Sequence, residues 1–123
     1  MASTRQGLLD AIPQIADEKL RAELVREVGS EWAEYSPRRT LEWFDSITFE
    51  NPRLNIAAVN LIYSAAVKRG RVDRTTAVDW AWRHLPDDQR TDFLFREIEG
   101  DWRNSDPEAV DAWLAKHEIE IHR

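Results

Sequence analysis

Four cations fall within seven positions at Lys68-Arg69-Gly70-Arg71-Val72-Asp73-Arg74. A cluster of that kind attracts an anion, either an acidic protein surface or a phosphate. Arg83 follows about three helical turns after the cluster's centre, and it extends the same basic stretch. The second group with chemical reach is aromatic: Trp32, Trp43, Trp80, Trp82, Trp102 and Trp113. Tryptophan is enriched among residues that anchor protein interfaces, and it is equally suited to filling the space between packed helices. Trp80 and Trp82 are two positions apart and leave a helix in different directions. One is therefore expected in the core, and Trp82 is the expected exposed anchor.

The remaining reactive side chains point to no reaction. His84, His117 and His122 are the histidines. His117 and His122, with Glu118 and Glu120, match no closed zinc spacing. Asp87, Asp88, Glu97, Glu99 and Asp101 are interleaved with Arg90, Arg96 and Arg103, which reads as a salt-bridged surface rather than an acid–base pair. There is no Cys, so thiolate chemistry and disulfides are excluded. Four scattered Gly cannot supply a phosphate loop, a dinucleotide fingerprint or a nucleophile elbow. No catalytic, metal-binding or cofactor-binding residue is expected. Helices joined by the Gly70 turn also suggest a helix–turn–helix. However, Arg74-Thr75-Thr76-Ala77-Val78-Asp79-Trp80-Ala81-Trp82-Arg83 offers few donors to base edges, and the net charge of −6 opposes phosphate.

These residues are carried by a repeated phrase. Arg26-Glu27-Val28 to Trp32, then Ser36-Pro37 and Trp43-Phe44, returns 70 positions later as Arg96-Glu97-Ile98 to Trp102, Asp106-Pro107 and Trp113-Leu114. Seventy is two periods of 35, and periods of roughly 20–50 residues mark stacked helical hairpins. Ser36-Pro37, Asn51-Pro52 and Asp106-Pro107 each put a capping residue before Pro at a first helical position. Asp17, Asp73 and Asp87 or Asp88 are further caps, and Gly70 is a C-cap behind Lys68-Arg69. The pattern predicts a short capping helix over 4–12. Three hairpins follow, over 17–47, 52–85 and 87–119.

Within the first long helix, Leu20, Leu24, Val28 and Trp32 are predicted to face the core; Phe95, Ile98 and Trp102 do so in the third, with Leu94 alongside. The helix from Leu54 to Val67 has almost no charged face and is predicted to be the buried centre of the stack. The middle repeat is degenerate. Val67 stands 35 positions after Trp32, and Trp80 aligns with Trp43 only if two residues are inserted at the turn.

The Trp-x4-Pro-x5-Trp spacing, with Ser or Asp before the Pro, resembles the Trp and Asp-Pro helical hairpins of bacterial proteins. At the level of architecture it is similar to tetratricopeptide-like and HEAT-like α-solenoids. That resemblance covers about 17–119 and implies an all-α, right-handed stack acting as a scaffold or adaptor. It carries no catalytic residue across. The Gly and Tyr that tetratricopeptide repeats favour in their first helix are not in register here.

Composition agrees with one domain over 1–123: 123 residues, 42% hydrophobic and 33% charged. The first ten residues lack the apolar run of a signal peptide, and a cytoplasmic location is expected. Charge is segregated as −4 over 1–51, +4 over 52–86 and −6 over 87–123. The expected function is a non-catalytic interaction module that meets an acidic protein patch through Lys68, Arg69, Arg71, Arg74, Trp82 and Arg83. A small acidic inhibitor that mimics nucleic acid, and a self-associating assembly protein docking acidic ends on basic centres, are the alternatives.

Overall fold

A computed structural model describes residues 2–47, 52–68 and 70–121, and every regular element among them is helical. The chain divides into two compact units, 1–85 and 86–123.

The first unit holds α1 (Ala2–Ala11), which continues into a 3-10 turn at Ile12–Gln14. It also holds α2 (Glu18–Tyr35), α3 (Pro37–Asp45), α4 (Ile56–Lys68) and α5 (Arg74–His84). The start of α2 is set by Asp17, whose carboxylate accepts from the backbone N–H of Lys19 and Leu20 at 3.0 and 3.2 Å. Ser36 works differently from the expectation. Its hydroxyl makes no capping bond. Instead its N–H closes α2 on Trp32 C=O at 2.8 Å, while its own C=O accepts from Thr40 N–H and Oγ1. Gly70 ends α4 in the left-handed region, φ +64, as a helix C-terminus favours. The predicted cap Asn51 lies outside the described residues. The helix expected at 52 begins as a 3-10 turn, Pro52–Asn55, the tighter winding common at helix starts.

The predicted central helix is buried: Ala58, Val59, Ile62, Tyr63 and Ala66 are out of solvent and Ile56 is half-buried. It keeps one open stripe, Ala57, Leu61, Ser64 and Lys68, with Leu61 48% exposed. In α2 the predicted stripe needs correcting. Ala22, Val25, Gly29 and Ala33 are the buried residues, whereas Leu24, Val28 and Trp32 are half-buried and Leu20 is 46% exposed. The cause is the close approach of α2 to α4. A Cβ on Gly29 would lie 2.7 Å from Ile62 Cδ1, so only a small-residue face of α2 lets the branched side chains of α4 in.

Ties between elements recur at separations of 34–36 residues. Lys68 Nζ meets Glu34 Oε1 at 3.3 Å, and Arg71 Nη1 donates to Tyr35 C=O at 3.2 Å. Trp43 Nε1 donates to Leu9 C=O at 2.9 Å, which holds α1 on α3. Gly29 faces Ile62 while Glu34 meets Lys68, so α2 and α4 run in the same direction.

The second unit is α6 (Asp87–Phe93), a π-helical run Leu94–Trp102, α7 (Arg103–Ser105) and α8 (Pro107–Lys116). Nine π-helical residues is unusual, since i→i+5 winding normally appears as a single turn. It also explains a second correction. Phe95 was expected in the core and is 57% exposed, while Phe93, Leu94, Ile98 and Trp102 are buried. The wider turn stacks positions four apart and swings Phe95 outward. Gly100 lies where a Cβ would stand 3.0 Å from the Phe95 carbonyl oxygen, five residues back. The unit is closed by Val110, Trp113 and Leu114 of α8, all buried.

Asp106 caps α8 by accepting from Ala109 N–H at 3.2 Å. Asp106→Ala is expected to lower stability by about 1 kcal/mol. Chemical denaturation checks this, and Asp106→Asn, which keeps a capping acceptor, should avoid most of the loss. No helix among the described residues is long and apolar enough to cross a membrane.

Candidate functional site: the basic edge and the cleft between α3 and α5

The residues expected to bind a partner do not form one uniform patch. Lys68 is exposed at the end of α4 and is paired with Glu34 of α2. Arg69 lies outside the described residues. Arg71 is exposed in the turn, with one nitrogen on Tyr35 C=O. Arg83 is 63% exposed on α5, and its Nη2 meets Asp45 Oδ2 of α3 at 3.4 Å. These three cations each reach back to an acceptor 34–38 residues earlier and leave further N–H groups facing solvent.

Arg74 differs from these three cations. It is half-buried, donates through Nε to Tyr63 Oη at 2.7 Å, and holds its guanidinium carbon 5.6 Å from the Tyr63 ring centroid. Tyr63 is buried, so its hydroxyl needs a partner and Arg74 supplies it. This cation joins α5 to α4 rather than presenting itself outward. Trp82 is likewise half-buried, not openly exposed, and it has contacts of its own. Its neighbour Trp80 is the core member of the pair, at 1% exposed.

Trp80 belongs to a ring cluster that the sequence did not reveal. Phe44 packs edge-to-face on it at 5.1 Å and 75°, and His84 lies 4.8 Å from Phe44 and 5.3 Å from Trp80. His84 Nε2 is 2.6 Å from Asp45 Oδ1, so Asp45 is shared between Arg83 and His84. Phe44 and Asp45 thus meet residues 36–40 positions onward, and α3 and α5 are bridged at the ends of both helices.

Above this cluster is a cleft of about 320 Å³. One wall is Arg38, Leu41, Glu42 and Asp45, one face of α3 at helical spacing. The opposite wall is Thr76, Trp80 and Arg83 of α5, with Val72 from the turn. Leu41, Val72 and Trp80 are buried and give an apolar floor, whereas Arg38, Glu42, Thr76 and Arg83 are exposed at the rim. Trp80 Nε1 is buried with no hydrogen-bond acceptor among the described residues. An unmet buried donor costs about 1–3 kcal/mol, so this one stands out in a floor that is otherwise apolar. The cleft residues Arg38, Leu41, Glu42 and Thr76 were missed in the sequence. The spacings 38-41-42-45 and 76-80-83 are amphipathic signals, but which helices face each other across a cleft is a tertiary fact.

Five carboxylates of the second unit are seen in ion pairs. Asp87 meets Arg90, Asp92 and Glu97 meet Arg96, and Glu99 and Asp111 both hold Arg103. Hydrogen bonding to Glu99 first, then Asp111, raises the Arg103 pKa above the ordinary guanidinium value. His117 stacks against Trp113 with ring centroids 4.1 Å apart, and His122 lies outside the described residues. No group of three or more potential ligands occurs among the described residues. No protein-family model, curated protein or solved structure matches this chain.

Proposed function

We propose that this chain is a non-catalytic protein-binding module built as a stack of helical hairpins, with α2–α3 on α4–α5 and α1 as the cap. The parallel run of α2 beside α4, tied at separations near 35 residues, is the geometry a repeat array produces when equivalent helices lie side by side. In this reading the basic edge, Lys68, Arg71 and Arg83, meets an acidic surface on a protein partner. A single observation carries it. Each of these exposed cations is pinned by one acceptor in the preceding hairpin, so its remaining donors are held in place before a partner arrives. Arg74 is excluded from the binding set because it completes Tyr63. The alternative of a nucleic-acid mimic is disfavoured by the arginines interspersed among the carboxylates of 87–111, which break up any continuous negative stripe.

Cross-linking capture from cells, read by mass spectrometry, tests this. The triple variant Lys68→Glu, Arg71→Glu, Arg83→Glu is expected to lose the acidic proteins that the native chain captures. A Lys116→Glu variant at the end of α8 should retain them. Equal capture by all three proteins would show the edge is not the binding surface.

A further inference from the structure

We infer that the chain from Asp87 to Ser105 has two available windings, which exchange Phe93 and Phe95 at one place in the core of the second unit. Side chains two positions apart leave a helix in different directions, so burying one of these rings turns the other outward. Phe93 is 1% exposed and Phe95 57%. Which of them joins Ile98 and Trp102, both buried, depends on the winding. An α-helix advances about 100° per residue, and positions three and seven apart share a face. That face would hold Phe95, Ile98 and Trp102, with Phe93 behind it. In a π-helix the backbone bond closes five residues back, so positions five and nine apart line up instead. That face holds Phe93, Ile98 and Trp102, which is the arrangement seen. Leu94 is buried and stands four positions before Ile98, a spacing that stays on one face in both windings.

Packing separates the two states little, because one phenyl ring replaces another of the same volume. The ion pairs within the segment do not choose either. Asp92–Arg96 and Glu99–Arg103 are each four apart, and such pairs stay adjacent on both windings. The backbone chooses at Gly100. A Cβ there would stand 3.0 Å from the Phe95 carbonyl oxygen, five residues back. The π winding brings those two positions together, and an α ladder, bonded four residues back, draws them apart. Glycine thus removes an obstacle to the wider turn, whereas a side chain at 100 would favour the α state. The π state is the resting form, with Phe95 outward. Anything that engages the outward ring of one state shifts the population toward that state, so the segment is a switch whose output is the face that shows a phenylalanine.

The test uses the full chain carrying ¹³C-labelled phenylalanine, with a soluble gadolinium chelate that broadens each ring signal according to its exposure. In the native chain the Phe95 ring should broaden severalfold more than the Phe93 ring. Gly100→Ala, which obstructs the π winding and is the better helix former, should reverse that order. Phe93→Ala should protect Phe95 to the level that Phe93 has in the native chain, with the second unit still folded. Phe95→Ala removes only the outward ring and should leave Phe93 protected. A Phe95 ring as exposed in both Gly100→Ala and Phe93→Ala as in the native chain would overturn the exchange. Loss of the folded second unit in both variants would overturn it as well, because the α winding would then have offered the core no replacement ring.

Discussion

Trp80→Ala is expected to destabilise the unit formed by residues 1–85 by about 3–5 kcal/mol, the largest loss of any single substitution considered. Trp80 is the largest fully buried side chain among the described residues of this unit, and it supports the Phe44 and His84 rings that join α5 to α3. Removing it takes out both the apolar area and the edge-to-face pairing, and it leaves a cavity that two helices bridged mainly by side chains cannot easily close. Trp82→Ala, two residues away and half-buried, should cost clearly less. Urea denaturation followed by circular dichroism compares the two. A Trp82 loss equal to or above that of Trp80 would mean the register of α5 is wrong. Trp80→Phe should recover most of the stability, because the indole N–H has no partner to lose.

Gly29→Ala is expected to destabilise by about 1–3 kcal/mol, the cost of overpacking a well-filled interior. The sign is informative, because Gly→Ala inside a helix ordinarily stabilises by about 0.5–1 kcal/mol. Here the new methyl would press on Ile62 Cδ1 at 2.7 Å and Cγ1 at 3.2 Å, and Ile62 is fully buried. Gly7→Ala is the matched control. Nothing lies within 4 Å of its added Cβ, so it should stabilise or be neutral. Pairing Gly29→Ala with Ile62→Val, which removes the offending Cδ1, should recover part of the loss as a favourable coupling. Thermal melts of Gly7→Ala, Gly29→Ala, Ile62→Val and the double variant read out both effects. Equal and favourable shifts for Gly7→Ala and Gly29→Ala would show that α2 does not approach α4 closely.

Helix positions were legible because their punctuation is local. Asp17, Pro37, Gly70 and Pro107 act on residues within a turn of themselves, and each does in the structure what its chemistry implies. Faces were harder to read. Leu20, Leu24, Val28 and Trp32 form the more hydrophobic stripe of α2, yet the smaller stripe is buried, because close helix packing selects for shape as well as hydrophobicity. Phe95 was misassigned for another reason. Periodicity assumes 3.6 residues per turn, and the π-helical run from Leu94 to Trp102 departs from it. Of the proposed partner contacts, Lys68, Arg71 and Arg83 are exposed, while Arg74 bonds a tyrosine hydroxyl eleven residues earlier. Charge counting does not distinguish a cation for a partner from one that satisfies a buried oxygen. The cleft itself, with Arg38 and Thr76, needed two helices distant in sequence to be placed side by side.

Native-state hydrogen exchange on the intact chain, resolved by residue, tests most directly whether neighbouring helices lean on α4 as their common support. The amides of Val59, Ile62, Tyr63 and Ala66 should be among the slowest of the unit and should exchange only with its global unfolding, more slowly than those of α1. Rapid exchange along α4, at rates matching α1 or an isolated helix, would contradict the account.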